Sequence, residues 1–204
     1  MATTIGYYFS TVSPWAFIGH APFLEVAGRH GAQVDYRPVA LGELFAETGG
    51  LPLGKRHPAR QRYRLVEMQR WREARGITLN LKPAHWPFNG AFTDRLVIAA
   101  LQDGHDAGAL FGRIGSGVWQ REENLGDRAR IAAVLDELGM PQALIEAADT
   151  PEIEEAYAAN EKAAVEAGVF GSPAYVLNGE VFWGQDRIDL LDAALSSGRA
   201  PFTA

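Results

Sequence analysis

The chain of 204 residues contains no cysteine. It therefore has no disulfide, no thiolate ligand for a metal ion and no thiol nucleophile of its own. Thiol–disulfide exchange through its own side chains is excluded for the same reason. Thiol chemistry in this protein requires a thiol that a small molecule supplies.

Long apolar runs are also missing, since no stretch approaches the roughly 20 apolar residues of a membrane-spanning helix. The first residues, MATTIGYYFS, lack the basic and apolar regions of a secretory signal. We therefore expect a cytoplasmic protein with no membrane partner. We also expect no metal site, because the five histidines are scattered without the spacing of metal ligands, at positions 20, 30, 57, 85 and 105.

Positive charge is scarce outside one segment of the chain. The formal net charge is −6, which argues against nucleic acid as a partner. Residues 55–75 nevertheless hold eight of the 19 Lys and Arg residues and only two acidic ones, Glu67 and Glu73. A charge run of this kind is commonly the solvated face of a helix. The alternative is a site for small carboxylates, and the segment alone leaves both interpretations open.

The order of sequence patterns predicts an α/β fold. Residues 3–9 and 33–39 have the patterns of strands, and residues 14–29 between them follow helical spacing, which predicts a parallel βαβ unit. Residues 58–168 are helical in nearly every segment. The segment PAYVLNGEVFW (173–183) contains two short strands joined by Asn-Gly, a strong hairpin signal, and a closing helix follows it. The chain ends in a ββα unit.

Ser13-Pro14 stands where the first helix begins. Serine is a preferred N-cap and proline is common at the first helical position, so this pair has an ordinary structural interpretation. A helix N-terminus also presents free N–H groups and partial positive charge, which favour an anion. Two later motifs have ordinary interpretations as well: Ser172-Pro173 as an edge-strand proline, and Asp186 as the N-cap of the closing helix.

The segments VSPWAFIG (12–19) and GVFGSPAYVLNGEVFWGQDRIDLL (168–191) resemble the kappa-class glutathione transferases. Within that DsbA-like group they are most similar to the bacterial 2-hydroxychromene-2-carboxylate isomerases, over essentially the full length. The resemblance implies a thioredoxin-like βαβ–ββα domain, residues 1–56 and 168–204, interrupted by an all-helical insertion domain, residues 57–167. It also implies glutathione as the cofactor and a homodimer.

The resemblance assigns five residues to the thiol, the cysteinyl part and the γ-glutamyl group of glutathione. The Ser13 hydroxyl donates a hydrogen bond to the thiolate, which lowers the pKa of the thiol. The backbone of Ser172 pairs with the cysteinyl part. The proline that matches Pro173 is cis in thioredoxin-like folds, although the sequence alone does not predict that isomer here. The Asp186 carboxylate meets the ammonium of the γ-glutamyl group, and N–H groups near Gln185 receive the carboxylate of that group.

Further residues are assigned to carboxylates and to the substrate. Arg60 matches a family lysine that binds the glycine carboxylate of glutathione, and an arginine suits that task. Arg56 and Trp15 are candidates for substrate contact. In PAHWPFNG (83–90), Trp86 and Asn89 would wall a pocket for a flat aromatic substrate. The alternative for this segment is a packed turn that anchors the helical insert.

The sequence departs from the family pattern at three positions. Gly50 stands where the kappa class has a ligand-contacting asparagine, Gln185 where the family often has Ser or Asn, and Ala16 where a serine is frequent. The leading hypothesis is a glutathione-dependent isomerase that acts on 2-hydroxychromene-2-carboxylate or a related carboxylated aromatic by reversible thiolate addition. The alternatives are a kappa-type glutathione transferase or peroxidase, and a non-catalytic ligand-binding domain of the same fold.

Overall fold

The computed structural model describes residues 3–203, so residues 1, 2 and 204 of the predicted domain ranges lie outside it. The helices and strands follow the predicted order. Two 3₁₀ turns, Leu53–Lys55 and Gln185–Arg187, accompany them. The elements are β1 Thr4–Phe9, α1 Pro14–Arg29, β2 Gln33–Pro38, α2 Leu41–Thr48, α3 Pro58–Ala74, α4 Gly90–Gln102, α5 Ala107–Trp119, α6 Arg128–Glu137, α7 Leu144–Ala147, α8 Pro151–Glu166, β3 Ala174–Leu177, β4 Glu180–Trp183 and α9 Ile188–Ser197.

The four strands form one sheet in the order β2-β1-β3-β4. β1 and β2 are parallel, whereas β3 is antiparallel to both β1 and β4, so the predicted parallel βαβ pair is confirmed. The turn between β3 and β4 has positive φ at Asn178 (51°) and Gly179 (85°), as a type I′ hairpin turn requires. The predicted Asn-Gly hairpin is therefore confirmed too.

Helices cover both faces of the sheet. Side chains along β1 point to the two faces in turn, so the strand contributes to the packing on each side. Tyr7 and Phe9 face α1 and α5, where the ring centroids of Phe9 and Phe111 are 4.3 Å apart. Tyr8 faces the opposite side and belongs to a second buried cluster with Leu44 of α2 and Ala164 of α8. Burial of a large side chain contributes about 1.5–3 kcal/mol, so these contacts fix the helices to the sheet. No helix within residues 3–203 combines the length and the apolar character that a membrane crossing demands.

Helix α1 begins as the sequence predicts. Ser13 has an extended backbone, and its Oγ accepts a hydrogen bond from the backbone N–H of Ala16 at 3.3 Å, with Pro14 as the first helical residue. The prediction that Ser13 caps the helix is confirmed. The prediction that Asp186 caps the closing helix is wrong, because α9 begins at Ile188 after a 3₁₀ turn. The Asp186 carboxylate instead accepts a hydrogen bond from Nη1 of Arg187 at 2.6 Å.

Candidate functional site

A cleft of about 660 Å³ opens between α3 and the loop that joins β4 to α9. Trp15 in the first turn of α1 and Ser172, two residues before β3, complete its wall, so both ends of the sequence contribute to the cleft. Six of the predicted site residues line it: Trp15, Arg56, Arg60, Ser172, Gln185 and Asp186. The fold therefore brings together residues that lie up to 171 positions apart in the sequence, from Trp15 to Asp186.

Ser13 and Ser172 are in contact beside this cleft. The Ser13 Oγ donates a hydrogen bond of 3.4 Å to the carbonyl oxygen of Ser172, and Ser13 is 4% exposed. The Ser172-Pro173 bond, whose isomer the sequence leaves open, is cis. The hydroxyl therefore lies at the positive end of α1, where the N–H groups of the first turn have no partners within the helix. An anion at this end of the cleft would be stabilised by both features.

Three arginines form a positive wall on the other side. Arg60 and Arg64 lie one turn apart on α3, and Arg56 precedes the helix. Within residues 3–203 none of the three takes part in a salt bridge. Burial, together with the charge of Arg56, lowers the pKa of Arg64 to about 10. Cations that repel one another in a partly buried wall favour a bound anion.

Arg64 connects the cleft to the PAHWPFNG segment. Its guanidinium lies over the ring of Trp86, 5.1 Å from the centroid, as a cation–π contact. Trp86 packs against Trp119 and donates its Nε1–H to the carbonyl of Val12 at 3.0 Å. Asn89 is the N-cap of α4. The structure does not bring Trp86 or Asn89 to the wall of the cleft, and their contacts match the interpretation as a packed turn.

Gln185 and Asp186 lie in the 3₁₀ turn before α9. Gln185 is 2% exposed, and its Oε1 accepts a hydrogen bond from Nη2 of Arg75 at 3.3 Å. Asp186 is half-exposed at the cleft and pairs with its neighbour Arg187. The carboxylate of Asp186 therefore has free lone pairs toward solvent, since it accepts one hydrogen bond from a side chain in the described residues.

Several lining residues escaped the sequence interpretation. Tyr63, Arg64, Glu67 and Trp71 follow Arg60 at spacings of three, four, seven and eleven, which place them on one helix face. Extending that spacing along α3 from Arg60 finds all four. Trp183, which is 50% exposed, also lines the cleft, directly before residues 184–187. The wall therefore combines arginines with aromatic rings, a lining suited to an anionic and flat ligand.

Gly19 allows α1 to approach the turn that carries Gln185 and Asp186. A Cβ at this position would lie 2.6 Å from Cβ and 3.3 Å from Cα of Gln185. We expect Gly19→Ala to lower the free energy of unfolding by about 1–3 kcal/mol, because overpacking displaces this turn. Urea denaturation measures the change.

Gly28→Ala is the matched control for this prediction. Gly28 lies in the same helix, and a Cβ there would have nothing within 4 Å. Alanine is favoured over glycine in a helix interior by about 0.5–1 kcal/mol, so this variant is expected to be neutral or more stable. If both variants had the same stability, the close approach at Gly19 would not constrain the turn.

Comparisons with known proteins agree with this architecture. A family model described as a DSBA-like thioredoxin domain matches residues 4–196. The 2-hydroxychromene-2-carboxylate isomerase of Sphingobium xenophagum is 26% identical over 203 residues, which cover 96% of this chain and 99% of that protein. A solved structure of a 2-hydroxychromene-2-carboxylate isomerase has a TM-score of 0.83 at 24% identity and covers 95% of each chain.

A more distant solved structure is the cytosolic disulfide reductase DsbM from Pseudomonas aeruginosa with GSH. Its TM-score is 0.69 at 17% identity, over 96% of this chain and 98% of that one. These similarities confirm the resemblance and the thioredoxin-like fold class predicted from the sequence. Because the family model spans nearly the whole chain, the protein belongs to the family of DSBA-like thioredoxin domains.

Proposed function

We propose that this protein is a glutathione-dependent isomerase of 2-hydroxychromene-2-carboxylate or a related carboxylated aromatic. One observation carries the proposal: Ser13, at the N-terminus of α1, contacts Ser172 beside a cleft whose opposite wall holds arginines that have no acidic partner within residues 3–203. The names of the relatives in Sphingobium xenophagum and Pseudomonas putida support the isomerisation. The fold neighbour solved with GSH supports the cofactor.

The residues of the cleft fit glutathione. The free N–H groups and the hydroxyl at Ser13 suit a thiolate, the backbone of Ser172 suits the cysteinyl part, and Arg60 suits the glycine carboxylate. Asp186 offers a carboxylate to the γ-glutamyl ammonium. The cleft and the Ser13 hydroxyl beside it therefore offer complementary groups for the sulfur, the backbone and the charged ends of the tripeptide.

Bound glutathione would supply a thiolate nucleophile whose reversible addition converts a conjugated double bond of the substrate into a single bond that rotates freely. Ser13 and the end of α1 hold the sulfur in its deprotonated state at neutral pH. Arg56 and Arg64 hold the substrate carboxylate, which orients the electrophilic carbon and draws electron density from it. The rings of Trp15 and Trp71 exclude water from the flat face of the substrate.

Calorimetric titration with reduced glutathione tests the proposal. We expect wild type to bind and to release protons near neutral pH, because the bound thiol is deprotonated. Arg60→Gln is expected to raise the dissociation constant about tenfold, which is the loss of one charge-assisted hydrogen bond of roughly 1.4 kcal/mol.

Arg62→Gln provides the matched control. Arg62 is exposed on the same helix and does not line the cleft, so its loss changes the net charge equally without removing a contact. Its dissociation constant for glutathione is expected to stay within a factor of two of the wild-type value, roughly the effect of one screened surface charge. Absence of binding by wild type at millimolar glutathione would contradict the proposed function.

A further inference from the structure

A fully buried carboxylate lies behind the cleft, on α4. Asp94 is 1% exposed and accepts four hydrogen bonds. The backbone N–H and the hydroxyl of Thr11 donate to its Oδ1, both at 2.7 Å. The hydroxyls of Ser10 (2.9 Å) and Tyr157 (2.8 Å) donate to its Oδ2. A buried carboxylate without a cationic partner is costly, and these four donors are what compensates for its lost hydration.

Three of the four donors belong to one loop. Ser10 and Thr11 connect β1 to α1, and both are buried. Thr11 is also tied to α4 through Thr93, whose hydroxyl oxygen lies 2.7 Å from its own. Asp94 therefore connects helix α4 to the β1–α1 loop by hydrogen bonds, over a sequence separation of more than 80 residues.

The same loop touches both serines of the proposed thiolate site. The backbone N–H of Ser10 donates to the Oγ of Ser172 at 3.1 Å. The carbonyl of Ser10 accepts a hydrogen bond from the backbone N–H of Ser13 at 3.0 Å. Ser10 therefore contacts Asp94 through its hydroxyl, and it contacts Ser13 and Ser172 through its backbone.

We propose that Asp94 is a positioning residue, which holds Ser13 and Ser172 in the relative placement that receives a thiolate. The inference rests on the proposed function, since it assigns Asp94 a part in the same site. Asp94 acts through the loop and does not line the cleft. Its contribution lies in the hydrogen bonds that it accepts, and its negative charge is not required.

Two substitutions of Asp94 distinguish the effect of its hydrogen bonds from the effect of its negative charge. In Asp94→Asn the amide oxygen can face the two donors of Thr11, while the amide N–H₂ donates to the hydroxyl oxygens of Ser10 and Tyr157, which can accept. This variant preserves four hydrogen bonds and removes the charge. In Asp94→Ala all four are lost, and the buried N–H of Thr11 has no acceptor.

The test measures two quantities in the full chain. The pKa of the bound glutathione thiol is followed by the ultraviolet absorbance of the thiolate, and hydrogen exchange reports the protection of the Ser13 amide. For Asp94→Ala we expect a thiol pKa raised by about one unit, which is a tenfold weaker stabilisation of the bound thiolate. We expect exchange at Ser13 to be about tenfold faster. Asp94→Asn should keep the thiol pKa within about 0.5 unit of the wild-type value, and the Ser13 exchange rate within about a factor of three, because its hydrogen-bond geometry is intact.

Asp103→Ala is the matched control, because Asp103 lies at the exposed C-terminal end of the same helix. It should leave the thiol pKa and the Ser13 exchange rate unchanged. If Asp94→Ala leaves both quantities at their wild-type values, or if Asp94→Asn is as defective as Asp94→Ala, the inference is overturned.

Two further outcomes are decided by the same experiment. If Asp94→Ala does not fold, Thr11→Val removes one donor from the same carboxylate at nearly constant volume, and an unchanged thiol pKa in that variant overturns the inference. If wild type does not bind glutathione, the proposed function and this inference fail together. If wild type binds glutathione but the Asp94 variants leave the thiol pKa unchanged, the inference fails while the proposed function stands.

Discussion

Ser13→Ala is expected to lower the rate of the proposed isomerisation about 100-fold, the usual effect of removing one donor from a developing or bound anion. The Ser13 hydroxyl is the side-chain donor at the N-terminus of α1, and its present acceptor is the carbonyl of Ser172 at 3.4 Å. A bond of that length is weak, so the hydroxyl can turn to a thiolate at little cost. Without it the pKa of the bound thiol rises and the thiolate fraction at neutral pH falls.

The chemical effect must be distinguished from the loss of a helix cap. Ser13 accepts from the Ala16 amide, so Ser13→Ala also lowers stability by about 1 kcal/mol. Asp106→Ala is the matched control, because Asp106 caps α5 through the amide of Ala109 at 2.8 Å and lies outside the cleft. It should lose similar stability and keep full activity.

Ultraviolet titration of the thiolate gives a clean measurement for this prediction. The protein contains no cysteine, so every thiol that titrates belongs to the added glutathione. Glutathione bound to wild type should be thiolate at neutral pH, and its thiol bound to Ser13→Ala should have a pKa about two units higher, which is a 100-fold weaker stabilisation of the thiolate. If the glutathione thiol had the same pKa when bound to Ser13→Ala as when bound to wild type, Ser13 would be excluded as the hydrogen-bond donor to the thiolate.

The second large effect concerns acid stability, which depends on two buried groups that act in opposite directions. Burial lowers the pKa of His20 to about 4, and its Nε2 lies 2.9 Å from the carbonyl oxygen of Gly108. Since the unfolded histidine titrates near 6.5, the stability that neutral His20 contributes is present above that pH and is lost as the pH falls toward 4. Between pH 7 and 5 this loss is about 2 kcal/mol.

Asp94 has the opposite effect. Burial raises the pKa of its carboxyl to about 6, against hydrogen bonds from Thr11, Tyr157 and Ser10 that favour the charged form. The folded protein therefore takes up this proton near pH 6, whereas the unfolded chain takes it up only near 3.8. The free energy of unfolding thus rises as the pH falls from 7 to 5, by about 1 kcal/mol. Asp94 offsets about half of the loss at His20.

Urea denaturation at pH 7 and at pH 5 tests both contributions. Between these pH values Asp94→Asn should lose about 1 kcal/mol more than wild type, and His20→Gln should lose about 2 kcal/mol less. Exposed carboxylates are common to all three proteins and cancel in these differences. If the three proteins lost stability in parallel, neither buried group would titrate differently in the folded and unfolded states.

Local features of the fold were predictable because they depend on neighbouring residues. The cap at Ser13 needs only a hydroxyl before Pro14, and the hairpin needs only Asn178-Gly179. The start of α9 was not predictable in this way. Asp186 is a favourable cap by type, but the close packing of Gly19 against Gln185 is accompanied by a 3₁₀ turn at that point.

The candidate site likewise contains residues that a local pattern predicts and residues that only long-range contacts position. The helical spacing from Arg60 contains Arg64 and Trp71, so the part of the cleft wall that α3 forms can be found from the sequence. The position of Trp86 depends on a hydrogen bond to Val12, 74 residues away, which no local pattern encodes. Asp94 had no sequence signal either, because its donors lie in a loop 83 and 84 residues earlier and in α8.

The contact between Ser13 and Ser172 spans 159 positions of the chain, and this separation affects how the protein is made. During translation Ser13 and α1 are synthesised well before the β3–β4 hairpin. Until that hairpin docks, one edge of β1 has no strand partner, since β3 fills it in the finished sheet. An unpaired edge invites association with other chains. The nascent protein therefore lacks the Ser13–Ser172 contact and exposes one edge of β1 until the β3–β4 hairpin has been synthesised and has docked, so premature release of the chain favours aggregation through β1.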